Sequence, residues 1–199
     1  MSISLLIALD LDNTVADFTG GFAQWLKQQP EFKNRPLPHH SVYDLVESGW
    51  FTSHEEFIHY FHAAEEDGLY TSLSPYEGAV AVLREIASEH RHTFKAVTAR
   101  REVFAEDTAE WLRRHGVPVT KVVHTEAKEF ETADLFIDDA PSQIGKLFGQ
   151  RELLVPTQLY NGHLAAGCHF AEWSDVPRRV SAVASRDRLP REYVAQLAA

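Results

Sequence analysis

The stretch Leu5-Leu6-Ile7-Ala8-Leu9-Asp10-Leu11-Asp12-Asn13-Thr14 decides the fold. Its first five residues are a short Ile/Leu-rich run, the pattern of a strand buried on both faces of a parallel sheet. The run stops on a carboxylate, and a second follows two residues later. Residues i and i+2 leaving a strand point the same way, so Asp10 and Asp12 face one site. An isolated Asp-x-Asp at a strand end is more often a turn or a helix cap, so the rest of the chain must say what this pair is for.

Four more short apolar runs follow, at residues 94–97, 119–123, 135–137 and 153–155. Helical patterns lie between them. Ala79, Val82, Leu83, Ile86 and Ala87 recur at i, i+3, i+4 and i+7, and Phe104, Thr108, Trp111 and Leu112 do the same before a stop at Gly116 and Pro118. Pro141 suits a first helical position ahead of Ile144 and Leu147. Strands alternating with helices imply βαβ units, so the expected fold is α/β, a Rossmann-like three-layer core around a parallel sheet. Residues 16–75 break that rhythm. Phe18, Phe22, Trp25 and Leu26 form an amphipathic stretch, a Pro- and His-rich loop follows, and Phe57, Ile58 and Phe61 mark a second helix. We read residues 16–75 as a mainly helical insertion after the first strand, and residues 1–15 with 76–199 as the core. Residues 181–199 read as a closing helix or a loose tail.

The chemistry-bearing residues stand where the strands end. After Asp10 and Asp12 come Thr98 at the second strand, Lys128 beyond the third and Asp138-Asp139 at the fourth. In an open parallel sheet that edge binds ligands. Four carboxylates at one mouth repel unless something neutralises them, and a hard divalent cation with oxygen ligands does so. Thr98 and Lys128 then suit phosphate oxygens. The residues alone point to a Mg²⁺-dependent phosphoryl-transfer site with a carboxylate nucleophile.

Composition limits the partners. The chain has 199 residues, 19 Lys and Arg against 29 Asp and Glu, and a formal charge of −10. That balance gives no footprint for nucleic acid or an anionic membrane. The single cysteine, Cys168, excludes an intrachain disulfide and a Cys-based zinc cluster. No apolar run approaches a membrane span, and the opening residues lack a basic segment and are interrupted by Asp10, unlike a signal peptide. A cytoplasmic protein is expected.

The ordered set Asp10-Leu11-Asp12-Asn13-Thr14, Thr98, Lys128 and Asp138-Asp139 resembles the haloacid dehalogenase-like (HAD) hydrolase superfamily. More narrowly, Asp10 to Phe18, the ten-residue step from Lys128 to Asp138, and Leu73-Ser74-Pro75-Tyr76-Glu77-Gly78 are similar to the 5′(3′)-deoxyribonucleotidase family. Tyr160-Asn161-Gly162-His163 and Trp173-Ser174-Asp175 share that likeness. The resemblance implies that Asp10 is the nucleophile and Asp12 the general acid and base. It implies that Thr98 and Lys128 bind phosphate, and that Phe18 lines a base pocket. Mg²⁺ would be held by Asp10, the Asp12 backbone carbonyl and Asp139, with Asp138 supporting Lys128 or a metal-bound water. The helical insertion would be a cap. The expected substrate is a small phosphate ester, a 5′- or 3′-(deoxy)nucleoside monophosphate, and a homodimer is left open.

Two departures bear on the substrate. Asn13 stands where the nucleotidase pattern commonly has glycine, and Ala99-Arg100 replaces a Ser-Pro pair. Asn13 and Arg100 join the phosphate-contact candidates, although Arg100 reads better as a solvated residue at a helix start. Trp50 and Phe51 read as a base clamp or as packing. His54, His59 and His62 lack His-Glu-x-x-His spacing and read as cap surface. Another small phosphoester such as a sugar phosphate, and a non-catalytic metal- or nucleotide-binding relative, are the alternatives. A phosphoacceptor receiver module orders its elements differently, and a dehalogenase has no use for Asp12.

Overall fold

The computed structural model describes residues 3–186. Six strands form the sheet: β1 (Leu6–Leu9), β2 (Thr93–Thr98), β3 (Val119–His124), β4 (Leu135–Ile137), β5 (Leu153–Pro156) and β6 (His169–Phe170). All pairings are parallel, in the order β3-β2-β1-β4-β5-β6. Strand alternation sends neighbouring side chains to opposite faces. In β1, Ile7 and Leu9 enter one apolar cluster while Ala8 enters another, and Leu135/Ile137 divide from Phe136 in β4 in the same way. The sheet is thus covered on both sides, the expected three layers. β3 lies at the edge with Thr120 and Lys121 exposed, so its apolar run is half-buried rather than enclosed. The two-residue β6 was not anticipated, being too short to carry a period.

The helices are α1 (Phe18–Leu26), α2 (His54–Glu66), α3 (Leu69–Ser72), α4 (Ala79–Glu89), α5 (Ala105–His115), α6 (Pro141–Leu147) and α7 (Val176–Arg186). Trp111 and Leu112 on α5 and Leu83 and Ile86 on α4 are buried, along the stripes read from periodicity. α5 ends at Gly116, whose φ of 65° lies in the left-handed region that favours glycine. Residues 181–186 complete α7, and the rest of the 181–199 stretch lies outside the described residues.

Residues 16–75 contain no strand longer than isolated bridges. The chain leaves and returns through one stem: Ala16 bridges Pro75, the Asp17 N–H donates to the Ser74 carbonyl and the Tyr76 N–H to the Val15 carbonyl. Asp17 and Ser53 cap α1 and α2 by accepting from the N–H groups of Gly20 and Glu56. Phe22, Phe32 and Phe51 pack inside the insertion, and Trp50 donates its indole N–H to the Pro38 carbonyl. Trp50 and Phe51 are therefore packing residues, buried away from the cavity described next.

Candidate active site

β1 lies between β2 and β4, so the three strand ends carrying Asp10, Thr98 and Asp138 are adjacent. The Asp10 N–H still donates to the Ile137 carbonyl, which places Asp10 in the ladder's last rung. Lys128 reaches in from the turn after β3. Its Nζ lies 2.7 Å from Asp10 Oδ1 and 2.8 Å from Asp138 Oδ2, with almost no exposure. Asp138 Oδ1 also accepts from the Ala140 N–H. Asp139 accepts from Thr14 Oγ1 at 2.6 Å and from the Tyr160 hydroxyl at 2.5 Å. Asp10, Asp138 and Asp139 each offer an oxygen within 4.8 Å of the others.

Asp10, Asp139 and Lys128 titrate away from their usual ranges. Burial raises the Asp10 carboxyl well above its usual range, Lys128 opposes that rise, and Asp138 and Asp139 reinforce it. Burial, then Asp138, pushes Asp139 up to about 7 against the hydrogen bonds from Thr14 and Tyr160. Burial penalises the charge of Lys128, yet Asp10 and Asp138 outweigh it and raise its pKa.

Arg100 corrects the sequence reading. It is buried, not solvated, and its guanidinium grips both oxygens of Asp12 at 2.7 and 2.9 Å. Asn13 has a φ of 57°, and its side-chain oxygen is taken by the Thr19 N–H and hydroxyl. Thr98 is fully buried, its hydroxyl accepting from the Arg100 N–H at 3.2 Å. Ionised, Asp10, Asp12, Asp138 and Asp139 face two buried cations, Lys128 and Arg100. The two unbalanced negative charges and the all-oxygen donor set suit one hard divalent cation.

A cavity of about 670 Å³ opens over this cluster. Asp10, Asp12, Asn13, Arg100 and Lys128 line its floor, and Phe18, Phe57 and Phe61 form a wall. Phe18 meets Phe61 edge-on at 6.0 Å, lines the cavity and also packs against the core. His40, Tyr43, Glu65, Tyr70 and Arg101 line the cavity as well and were not singled out from the sequence. Nothing periodic marks them, whereas the Tyr160-Asn161 motif did carry a signal. His54 pairs with Asp44 at the surface, and His54, His59 and His62 join no group of metal-ligating side chains among the described residues. His62 reaches the cavity rim.

A parallel 3-2-1-4-5 sheet core, a helical insertion after β1 and carboxylates with a lysine at the strand ends define a HAD-like hydrolase. The fold is shared with a haloacid dehalogenase-like family hydrolase from Streptococcus pneumoniae, at a TM-score of 0.63 and 14% identity over 89% of this chain and 98% of that one. A subfamily IA HAD hydrolase from Geobacter sulfurreducens matches at a TM-score of 0.56 and 12% identity over 90% and 97%. The model of the family described as 5′ nucleotidase, deoxy (pyrimidine), cytosolic type C protein matches residues 4–186, and the chain belongs to that family. A Chlorobaculum tepidum protein carrying the provisional name 5′(3′)-deoxyribonucleotidase is 26% identical over 185 residues, 87% of this chain and 88% of that one. The protein is accordingly a nucleotidase-like phosphoric monoester hydrolase. Among the described residues no helix is long and apolar enough to cross a membrane.

Proposed function

We propose that the protein is a Mg²⁺-dependent phosphomonoesterase acting on 5′- or 3′-(deoxy)nucleoside monophosphates through an aspartyl-phosphate on Asp10. The observation that carries this is one cavity uniting the carboxylate–lysine floor with an aromatic wall of Phe18, Phe57 and Phe61. Base-on-aromatic stacking needs such a wall.

In this reading Asp10 attacks phosphorus, the ester P–O bond breaks, and Asp12 gives its proton to the departing oxygen. Water then attacks the phosphoenzyme, Asp12 takes the proton back, and inorganic phosphate leaves Asp10 free. Lys128 holds the Asp10 carboxylate and screens the approaching phosphate, with Thr98 beside it. Asp10, the Asp12 backbone carbonyl and Asp139 would hold Mg²⁺, and Asp138 keeps Lys128 in place. The bound ion would supply positive charge against the phosphate and the carboxylates. Residues 16–75 act as a cap over a core of residues 1–15 and 76–199, excluding bulk water. The reading sets the protein in the cytoplasm.

Glu65, His62 and Arg101 on the same cavity favour a second reading, a polar phosphoester such as a sugar phosphate. Phosphate release across nucleoside monophosphates, deoxynucleoside monophosphates and sugar phosphates separates the two. We expect release from nucleotides alone, abolished by EDTA and restored by Mg²⁺. Preference for sugar phosphates would sink the nucleotide assignment and keep the chemistry.

A further inference from the structure

Arg100 follows the end of β2 by two residues, and its side chain is fully buried. Nε donates to Asp12 Oδ2 at 2.9 Å and Nη2 to Asp12 Oδ1 at 2.7 Å, a fork on both carboxylate oxygens. Nη1 reaches Thr108 Oγ1 on α5 at 3.4 Å. The guanidinium carbon lies 4.3 Å from the Tyr70 ring centroid and 5.8 Å from that of Trp111. Those rings are themselves tied. The Tyr70 hydroxyl donates to Glu65 at 2.8 Å, and the Trp111 indole N–H donates to the Leu73 carbonyl at 2.7 Å. A guanidinium held on every side has one orientation, and its fork is spent on Asp12. The Asp12 side chain stays 25% exposed. A carboxylate has about four acceptor sites, so a fork that takes two leaves the others for the cavity.

We propose that Arg100 is the positioning residue for Asp12, locking the carboxylate toward the ester oxygen and then toward the water, and that it does not bind phosphate. The proposal rests on the acid–base reading of Asp12. As the P–O bond breaks, the proton passes from Asp12 to the leaving oxygen, and later it returns from water to Asp12. Arg100 keeps all its protons, so it acts through orientation. Misplacing a catalytic group by an ångström is enough to slow a reaction about 100-fold. Lysine keeps the charge at this position but cannot reproduce the planar two-pronged grip.

The test compares kcat/KM, which reports the step that breaks the ester bond, for two substrates. A deoxynucleoside 5′-monophosphate has a poor leaving oxygen, whereas para-nitrophenyl phosphate releases a phenolate that needs little protonation. For the nucleotide, Arg100→Met should lose about 100-fold and Arg100→Lys about 10-fold, within the range of general acid catalysis. The aryl phosphate should lose less than about a third as much in each case. Combining Arg100→Met with Asp12→Asn should be no slower than Asp12→Asn alone, since both remove one function. Equal losses on both substrates would mean phosphate binding or general damage and would overturn the proposal, as would an Arg100→Lys enzyme indistinguishable from the parent. If Arg100→Met fails to fold, Arg100→Lys decides by the same ratio. Asp12→Asn is read separately: if it does not favour the aryl phosphate, the acid–base reading of Asp12 is what fails.

Discussion

The two ends of the cavity are built differently. At the floor, Asp10 and Asp138 leave neighbouring strands of one parallel sheet, and Lys128 joins them at 2.7 and 2.8 Å. Their separation follows from ladder register, which leaves little room for variation. At the wall, Phe18 comes from α1 and Phe57 and Phe61 from α2, helices separated by 27 residues without regular structure among 27–53. Their arrangement follows from side-chain packing, where shape tolerates exchange of one apolar residue for another. On the function proposed, the floor sets the reaction and the wall the substrate preference. Substitutions at the two ends should separate these properties.

The strongest way to break that division is Asp10→Asn. If the floor holds the nucleophile, hydrolysis of every phosphoester should fall by about 10⁴-fold or more, as expected on losing a covalent catalyst. The fold should survive, because an amide removes a carboxyl that burial already disfavours in its charged form. Phosphate-release assays and a thermal melt check both parts. Residual turnover with an unchanged leaving-group profile would place the nucleophile elsewhere.

Tyr160→Phe probes the floor from outside the strand ends. The Tyr160 hydroxyl donates to Asp139, and the neighbouring Asn161 amide donates to the Asp139 and Pro156 carbonyls. If Asp139 holds the metal as proposed, removing its hydroxyl donor should weaken Mg²⁺ affinity by about 10-fold or more, the usual effect of such outer partners. A Mg²⁺ titration of activity measures it, and an unchanged midpoint would remove Asp139 from the metal set.

What could be read in the residues divides along the same line. Asp10, Asp12, Asp138 and the helix stripes of α4 and α5 were legible because periods of 2 and 3.6 tie sequence position to direction in space. Arg100 was misread because its partners, Asp12 after β1, Tyr70 on α3, and Thr108 and Trp111 on α5, come from three separate segments that the fold brings together. Tyr43 and Glu65 were missed for the same reason, and a two-residue β6 offers no pattern to read.

At the wall, Phe61→Ala should raise KM for nucleoside monophosphates about 10-fold, the scale of one lost base–aromatic stack. It should leave kcat and the KM of a phosphoester without a base nearly unchanged. Phe61 touches Phe18, Phe22 and Phe57, so a melt must show that the insertion still packs. An equal rise in KM for base-free substrates would show that the aromatic wall does not read the base.

The smallest effect expected is on stability, and it sharpens the comparison because the buried carboxylates of the floor drive it. In the native protein Asp139 titrates at about 7, against 3.8 for an ordinary carboxyl, through burial first and Asp138 second. Between those values the native state keeps a proton that the unfolded chain releases, so metal-free stability falls as the pH rises through that window. Asp10, raised in the same direction, adds to the fall. A divalent cation needs the ionised carboxylates, so its binding and the stability it adds grow over the same interval. Melting temperatures in EDTA should drop by a few degrees across this window, and the increment from Mg²⁺ should be larger at about pH 8 than at about pH 5.5. An increment that shrinks with rising pH would remove the metal from the three buried carboxylates and leave Lys128, which touches Asp10 and Asp138, as their counter-charge.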